Sequence, residues 1–180
     1  QIDGITIIGG MSLTTAFLGF IYSISYTTAA VTLFMLALMP FLASLIAFIF
    51  LKEKISKQNF VSMVVAFIGT LVMIYASAFS GSFFGLIMGF ISSLGFAAFS
   101  VALRSKSDIK KFYILIYGGL FCALFSAFLM IINNQDFYIP IKNVYLSMTH
   151  GTLVASGLIL FSIGSKQLLS GELTMLSLLE

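Results

Sequence analysis

Two long stretches of this chain carry no Asp, Glu, Lys or Arg: Gly4–Leu51 and Gln58–Leu103. A single helix of either length would measure about 70 Å, against about 30 Å for the hydrocarbon core of a bilayer. Each stretch must therefore turn back once and form a pair of spanning helices. The polar or small segments Ser25-Tyr26-Thr27-Thr28 and Ser77–Ser82 are the expected turns. Two further segments, 112–132 and 144–165, are each long enough to span. The expectation is six whole spans, at about 5–25, 29–51, 60–77, 83–103, 112–132 and 144–165, with a seventh beginning at 173–179. A soluble surface is excluded on composition, since only 8% of residues are charged and 60% are hydrophobic, where a soluble domain carries about 25% charged residues. The fold class is all-α, a polytopic membrane helix bundle.

The charges that remain are not evenly placed. With alternating spans, loops 52–58, 104–111 and 166–172 fall on one side. They hold Lys52, Lys54, Lys57, Arg104, Lys106, Lys110, Lys111 and Lys166. Of basic residues, the opposite turns and loop 133–143 hold only Lys142. Basic loops stay cytoplasmic, so the three loops are expected in the cytoplasm, with Lys52, Lys54 and Arg104 as anchors. The KEKISK run is too short, and too poor in interleaved aromatics, for a nucleic-acid surface. The single cysteine, Cys122, excludes an intramolecular disulfide and a cysteine metal site. The partners expected are the lipid bilayer and a small-molecule substrate.

A weak internal repeat appears when Ala30 is laid over Gly171. "AVTLFMLALM" (30–39) then lies over "GELTMLSLLE" (171–180), Gly9-Gly10 over His150-Gly151, and Phe20 over Phe161. The first span matches the sixth, five helices on, and an odd offset reverses direction across the membrane. Inverted repeats of this kind are a plan of secondary transporters. A five-helix unit would make the chain a piece of a ten-helix (5+5) parent, truncated at both ends.

"TTAAVTLFMLALMPFLASLIAFIFLKEKIS" resembles the fourth helix of the drug/metabolite transporter superfamily, EamA branch, with its helix proline and its Gly-Glu or Lys-Glu exit. "NFVSMVVAFIGTLVMI" is similar to the fifth, "GLIMGFISSLGFAAFSVALRSK" to the sixth, and "SGELTMLSLLE" to the start of the ninth. The resemblance implies two inverted halves that move small metabolites such as amino acids, often outward, by alternating access. It implies that residues 1–78 are the last three helices of one EamA repeat and 83–180 the opening helices of the next. A bacterial inner membrane is the expected location, and no cofactor is expected. His150 matches no fixed family position.

Individual residues carry competing readings. Pro40 removes a backbone hydrogen bond and clashes with the preceding turn. The freed carbonyl then needs a partner or a water-lined cavity. It is a kink, either shaping a central cavity or only packing. Gly85, Gly89, Ser92, Ser93, Gly95, Ala97, Ala98 and Ser100 form a small-residue face. Such faces let membrane helices pack closely, and Ser92 and Ser93 could also line a substrate path. Tyr22, Tyr26, Tyr75, Tyr138 and Tyr145 read as an interfacial belt. Glu53 and Glu172 flank helix ends, where a carboxylate at a helix start complements the dipole. His150 is an ionisable group inside a span and is a default functional candidate. Ser156 shares its helix with small residues that could border a cavity. An intramembrane serine hydrolase would need these two side chains together. At about 100° per residue, six steps leave them about 240° apart on one helix, too far round to pair. A transporter is therefore favoured over an enzyme, and a non-transporting scaffold or receptor is the alternative.

Overall fold

The first hairpin is closed by hydroxyls. α1 (Gly4–Tyr26) ends at Thr27, and α2 (Ala29–Leu36) starts from Thr28. The Thr27 hydroxyl donates to the Ser23 carbonyl at 2.9 Å, and the Thr28 hydroxyl accepts from the Val31 N–H at 3.3 Å. Inside the turn the buried Ser23 and Thr32 hydroxyls share a hydrogen bond of 3.0 Å. This local hydroxyl bonding satisfies backbone groups that lipid would leave unpaired.

The computed structural model describes residues 3–54, 57, 60, 61, 63–65, 67, 68, 72, 82–106, 108–134, 138 and 140–179. The regular elements that follow are α3 (Met39–Phe50), α4 (Phe83–Arg104), α5 (Asp108–Ile132), α6 (Ile141–Gly164), α7 (Ser170–Leu176) and a 3₁₀ turn (Ser177–Leu179). All of these elements are helical. Among the described residues, five stretches are long and apolar enough to cross a membrane: Gly4–Tyr26, Ala29–Phe50, Phe83–Arg104, Ile109–Ile132 and Ile141–Gly164. The expected span 60–77 lies largely outside the described residues. Its described members, among them Phe60, Met63 and Phe67, are helical.

Several boundaries differ from the sequence expectation. α5 begins at Asp108 and takes Lys110 and Lys111 into its first turns, and α6 begins at Ile141 just after Pro140. An apolar window stops at the first charge or polar run, whereas helix propagation does not. α7 begins three residues before Leu173, because the Glu172 carboxylate accepts the Leu169 N–H at 3.0 Å and caps the first turn. The second span is broken: α2 stops at Leu36 and α3 restarts at Met39 with Pro40 in its first turn.

α1 is the central helix. Glycines let its backbone touch two neighbours. A Cβ at Gly19 would lie 2.8 Å from the Met88 carbonyl oxygen, and one at Gly95 would lie 2.8 Å from the Ala16 nitrogen. The α1–α4 crossing is therefore backbone on backbone, and the Ser92 hydroxyl adds a 2.7 Å bond to the Ala16 carbonyl. Against α5, Gly10 meets Tyr117 and the Gly118 backbone. There the Thr14 hydroxyl donates to the Gly118 carbonyl at 3.1 Å. Leu13, Phe99, Ala102, Leu103 and Ile114 form the apolar centre between these three helices. α6 joins it through Leu158 and Phe161, the latter ring 5.3 Å from Phe96. Large apolar side chains elsewhere face outward in number, among them Phe48, Phe50, Ile116 and Leu160. Such an outward apolar surface suits lipid rather than water.

The helices alternate in direction. Ser82, capping α4, donates its N–H to Tyr26 at the end of α1. Arg104, at the other end of α4, meets Glu53 after α3, and Lys106 and Lys110 meet Asp3 before α1. Lys111 near the start of α5 bonds Ser165 after α6. One end of the bundle, called the charged end below, thus gathers Lys52, Lys54, Arg104, Lys106, Lys110, Lys111 and Lys166.

Candidate functional site

The break in the second span is where backbone chemistry is most exposed. Pro40 is buried and has no N–H to give. The chain answers with a tight turn: Ala37 N–H donates to Leu33 and Phe34 carbonyls, and Leu38 N–H to Met35 at 3.1 Å. The Met35 carbonyl receives a second donor from across the bundle, the hydroxyl of fully buried Ser93 on α4. Ser93 also reaches the Gly89 carbonyl at 3.0 Å. Ser93 and Pro40 therefore act on one feature, a helix break held by a neighbouring helix. Ser92, next in sequence, faces α1 instead and clasps Ala16.

His150 sits elsewhere. Its side chain is exposed on α6 and lines a cavity of about 400 Å³ with Phe17, Phe96, Leu153, Gly157 and Phe161. The opposing walls are α1, α4 and the 3₁₀ turn, which contributes Ser177. Ser156 is not in that lining, and its hydroxyl bonds the Thr152 carbonyl of its own helix at 2.8 Å. The structure therefore brings Pro40 and Ser93 together, turns Ser92 to α1, and leaves His150 and Ser156 separate from them and from each other. A second cavity of about 310 Å³ lies between α1, α4 and α5, lined by Met11, Thr15, Tyr22, Met88, Phe121 and Phe125 among others. Tyr22 there joins Tyr26 and Phe84 in an aromatic cluster, with Tyr26 and Phe84 edge to face at 5.1 Å.

The charged end carries a polar network. Lys52 and Lys54 are exposed on the turn after α3. Lys52 adopts a left-handed backbone, φ 56°, and the Glu53 N–H folds back to the Ala47 carbonyl at 3.3 Å. That turn aims Glu53 inward. One carboxylate oxygen takes the Arg104 Nε, and the other takes the Ser170 N–H at 3.2 Å. Arg104 also donates to the Ser165 carbonyl at 3.1 Å and to the Leu168 carbonyl. Arg104, expected as an anchor, thus reaches into the protein. Lys111, only 3% exposed, donates to the Ser165 hydroxyl at 2.8 Å. Beside this network Asp3 caps α1 and accepts Lys106 at 2.8 Å and Lys110 at 3.1 Å. The Lys106 bond, then Thr6 and Lys110, hold the Asp3 carboxyl well below the usual carboxylate range.

Sequence reasoning missed the Asp3 clasp and the Glu53–Arg104 pair. "DGIT" is an N-cap pattern that could have flagged Asp3. A helix exit read as Gly-Glu or Lys-Glu is a signature of a left-handed position ahead of a positioned carboxylate.

Residues 4–75 match the EamA-like transporter family, of the drug/metabolite transporter superfamily. The matched stretch contains the fourth- and fifth-helix motifs; the motifs from residue 83 onward lie beyond it. No curated protein and no solved structure matches the chain.

Proposed function

We propose that this chain is part of a secondary transporter that exports small metabolites, amino acids or related compounds, by alternating access. The observation that carries the reading is the break at 37–38 together with its counterpart. In the register that lays Ala30 over Gly171, the start of α2 at Ala29 falls on Ser170, the start of α7. Leu36, where α2 ends, falls on Ser177, where α7 gives way to a 3₁₀ turn. Two helices that start and change at equivalent positions support an internal repeat. α1 and α6 run in opposite directions, as an inverted repeat needs, although simple alternation also gives that. On this reading residues 1–78 and 83–180 belong to two EamA repeats of a ten-helix parent, and the charged end is cytoplasmic in a bacterial inner membrane. Discontinuous helices near the middle of a bilayer are where such carriers build their sites.

His150, facing its cavity, is the proposed donor or acceptor to a polar substrate, with Pro40, Ser92, Ser93 and Ser156 as further candidates along the path. The test is counterflow of radiolabelled neutral amino acids in vesicles containing the ten-helix parent. His150→Ala should raise the apparent KM several-fold at normal abundance, and His150→Gln should recover part of the loss, since an amide also donates and accepts. Normal transport by His150→Ala would remove the residue from the path. Absence of flux with any candidate would favour a scaffold or receptor.

A further inference from the structure

We infer that the Glu53–Arg104 pair is a latch that holds the charged end shut, and that α3 is the lever it releases. The inference rests on the alternating-access reading, since only a carrier must open this end. α3 is bounded by two weak points. At one end lies the 37–38 break, where the backbone has exchanged its regular bonds for a turn and the Ser93 clasp. At the other lies Glu53, whose two oxygens bridge α4 through Arg104 and α7 through the Ser170 N–H. Arg104 extends the same network to Ser165 and Leu168, after α6. One carboxylate and one guanidinium therefore tie together the ends of α3, α4, α6 and α7.

The side chains are 14% and 23% exposed, for Glu53 and Arg104 respectively. They are dry enough for charge-assisted bonds to count and wet enough for each group to find water when the pair parts. α3 also closes on α7, and releasing the latch would part them. A Cβ at Gly171 would fall 2.5 Å from the Met63 methyl and 3.4 Å from the Pro40 carbonyl, and Ser44 lies closer still. α3 and α7 thus meet at a glycine, with the Ser44 side chain covered between them.

Ser44 reports on the latch. It is only 7% exposed and lines a small cleft with Glu53, Lys54 and Glu172. With Cys122→Ser removing the native thiol, Ser44→Cys is probed in unsealed membranes with a maleimide. Ser23→Cys, fully buried at the opposite end, is probed in parallel. Glu53→Gln and Arg104→Gln should each speed labelling at position 44 about tenfold, as loss of one charged hydrogen bond implies. Labelling at position 23 should stay unchanged. The double variant should label no faster than either single one, because the two groups act as a pair. Unchanged labelling at 44 overturns the latch. A parallel rise at 23 also overturns it, since that is general loosening. The readout is independent of transport: flux in the parent without faster labelling refutes the latch alone. Faster labelling without any flux refutes the carrier reading and leaves the clasp as a structural tie.

Discussion

Alanine at Gly19 and alanine at Gly151 should move stability in opposite directions. Both glycines lie inside helices of similar apolar composition. A Cβ at Gly19 would stand 2.8 Å from the Met88 oxygen, 2.9 Å from the Ser92 nitrogen and 3.1 Å from the Ser92 Cα. Those are backbone atoms and cannot swing aside. Restoring an ordinary contact of roughly 3.4 Å requires α1 and α4 to part by about half an ångström, against the close packing of the interior. The same displacement stretches the Ser92–Ala16 bond, now 2.7 Å, beyond the useful range for a hydroxyl donor. Overpacking at about 1–3 kcal/mol and a weakened interhelical bond at about 0.6 kcal/mol, less the about 0.5–1 kcal/mol of helix propensity that alanine gains, give a net loss of about 1–3 kcal/mol. A Cβ at Gly151 meets nothing within 4 Å. There alanine gains only helix propensity, about 0.5–1 kcal/mol of stabilisation. Cys122, half-buried on α5 and the only cysteine, supplies the assay: a fluorogenic maleimide follows its exposure as detergent-solubilised protein is heated. Gly19→Ala should lower the midpoint clearly and Gly151→Ala should hold or raise it. Equal downward shifts would refute the reasoning, because they would mean that α6 packs as tightly as the α1–α4 crossing.

Ser93→Ala should cost about 0.5–1.5 kcal/mol in the same assay, less than a fully orphaned carbonyl, because Leu38 N–H still serves Met35. A cost near zero would mean that the helix break needs no clasp. For Asp3 the sign follows from its lowered pKa: the stabilisation is complete above the ordinary carboxylate pKa of about 4 and is lost only as pH falls through the lower folded value. The melting difference between wild type and Asp3→Asn should therefore stay constant from pH 8 to pH 5, and a difference that vanishes over that interval would contradict the double lysine clasp. In a Cys122→Ser background, Lys54→Cys should resist an impermeant thiol reagent in intact cells while Asn134→Cys reacts, and the reverse pattern would invert the orientation.

What the sequence revealed and what it hid divide along a physical line. Lipid imposes length, so a charge-free run from Gly4 to Leu51 announces a hairpin, and the basic loops gather at one end of the bundle as alternation requires; which side that end faces is what the thiol test above decides. Pro40 announced a break because the missing N–H is a property of one residue. The partner of that break was not legible. Ser93 sits in a run of small residues whose composition serves packing equally well, and only the placement of α4 beside α2 gives its hydroxyl a carbonyl. The charged end was hidden for the same reason. Glu53 and Arg104 are 51 positions apart, and Asp3 and Lys106 are 103 apart. Their loops read as solvated anchors until alternation brings them to one end. His150 and Ser156 were legible as separate, since six steps on one helix set them about 240° apart, and they do not share a cavity.

The kinds of contact also divide the bundle into parts that can move and parts that cannot. α1, α4 and α5 meet through Gly10, Gly19 and Gly95, where backbone lies against backbone. Such a surface has no intermediate state, since any separation loses close packing at once, so these helices behave as one body. The far ends of α1 and α4 are further joined by Tyr26 and Phe84, whose rings depend on neither salt nor pH in the physiological range. At Gly171, α7 meets the Ser44 hydroxyl and the Met63 methyl, side-chain ends that can shift, and the Pro40 oxygen at an ordinary 3.4 Å. Where the broken second span meets the α1–α4–α5 body, the polar ties are of another type: the Ser93 hydroxyl at the break and the Glu53–Arg104 pair at the charged end. Hydroxyls and ion pairs can exchange partners with water at small net cost, whereas glycine-packed backbones cannot. A carrier that rocks one part against another needs this distribution, with the rigid seams inside the α1–α4–α5 body and the exchangeable bonds at its edge.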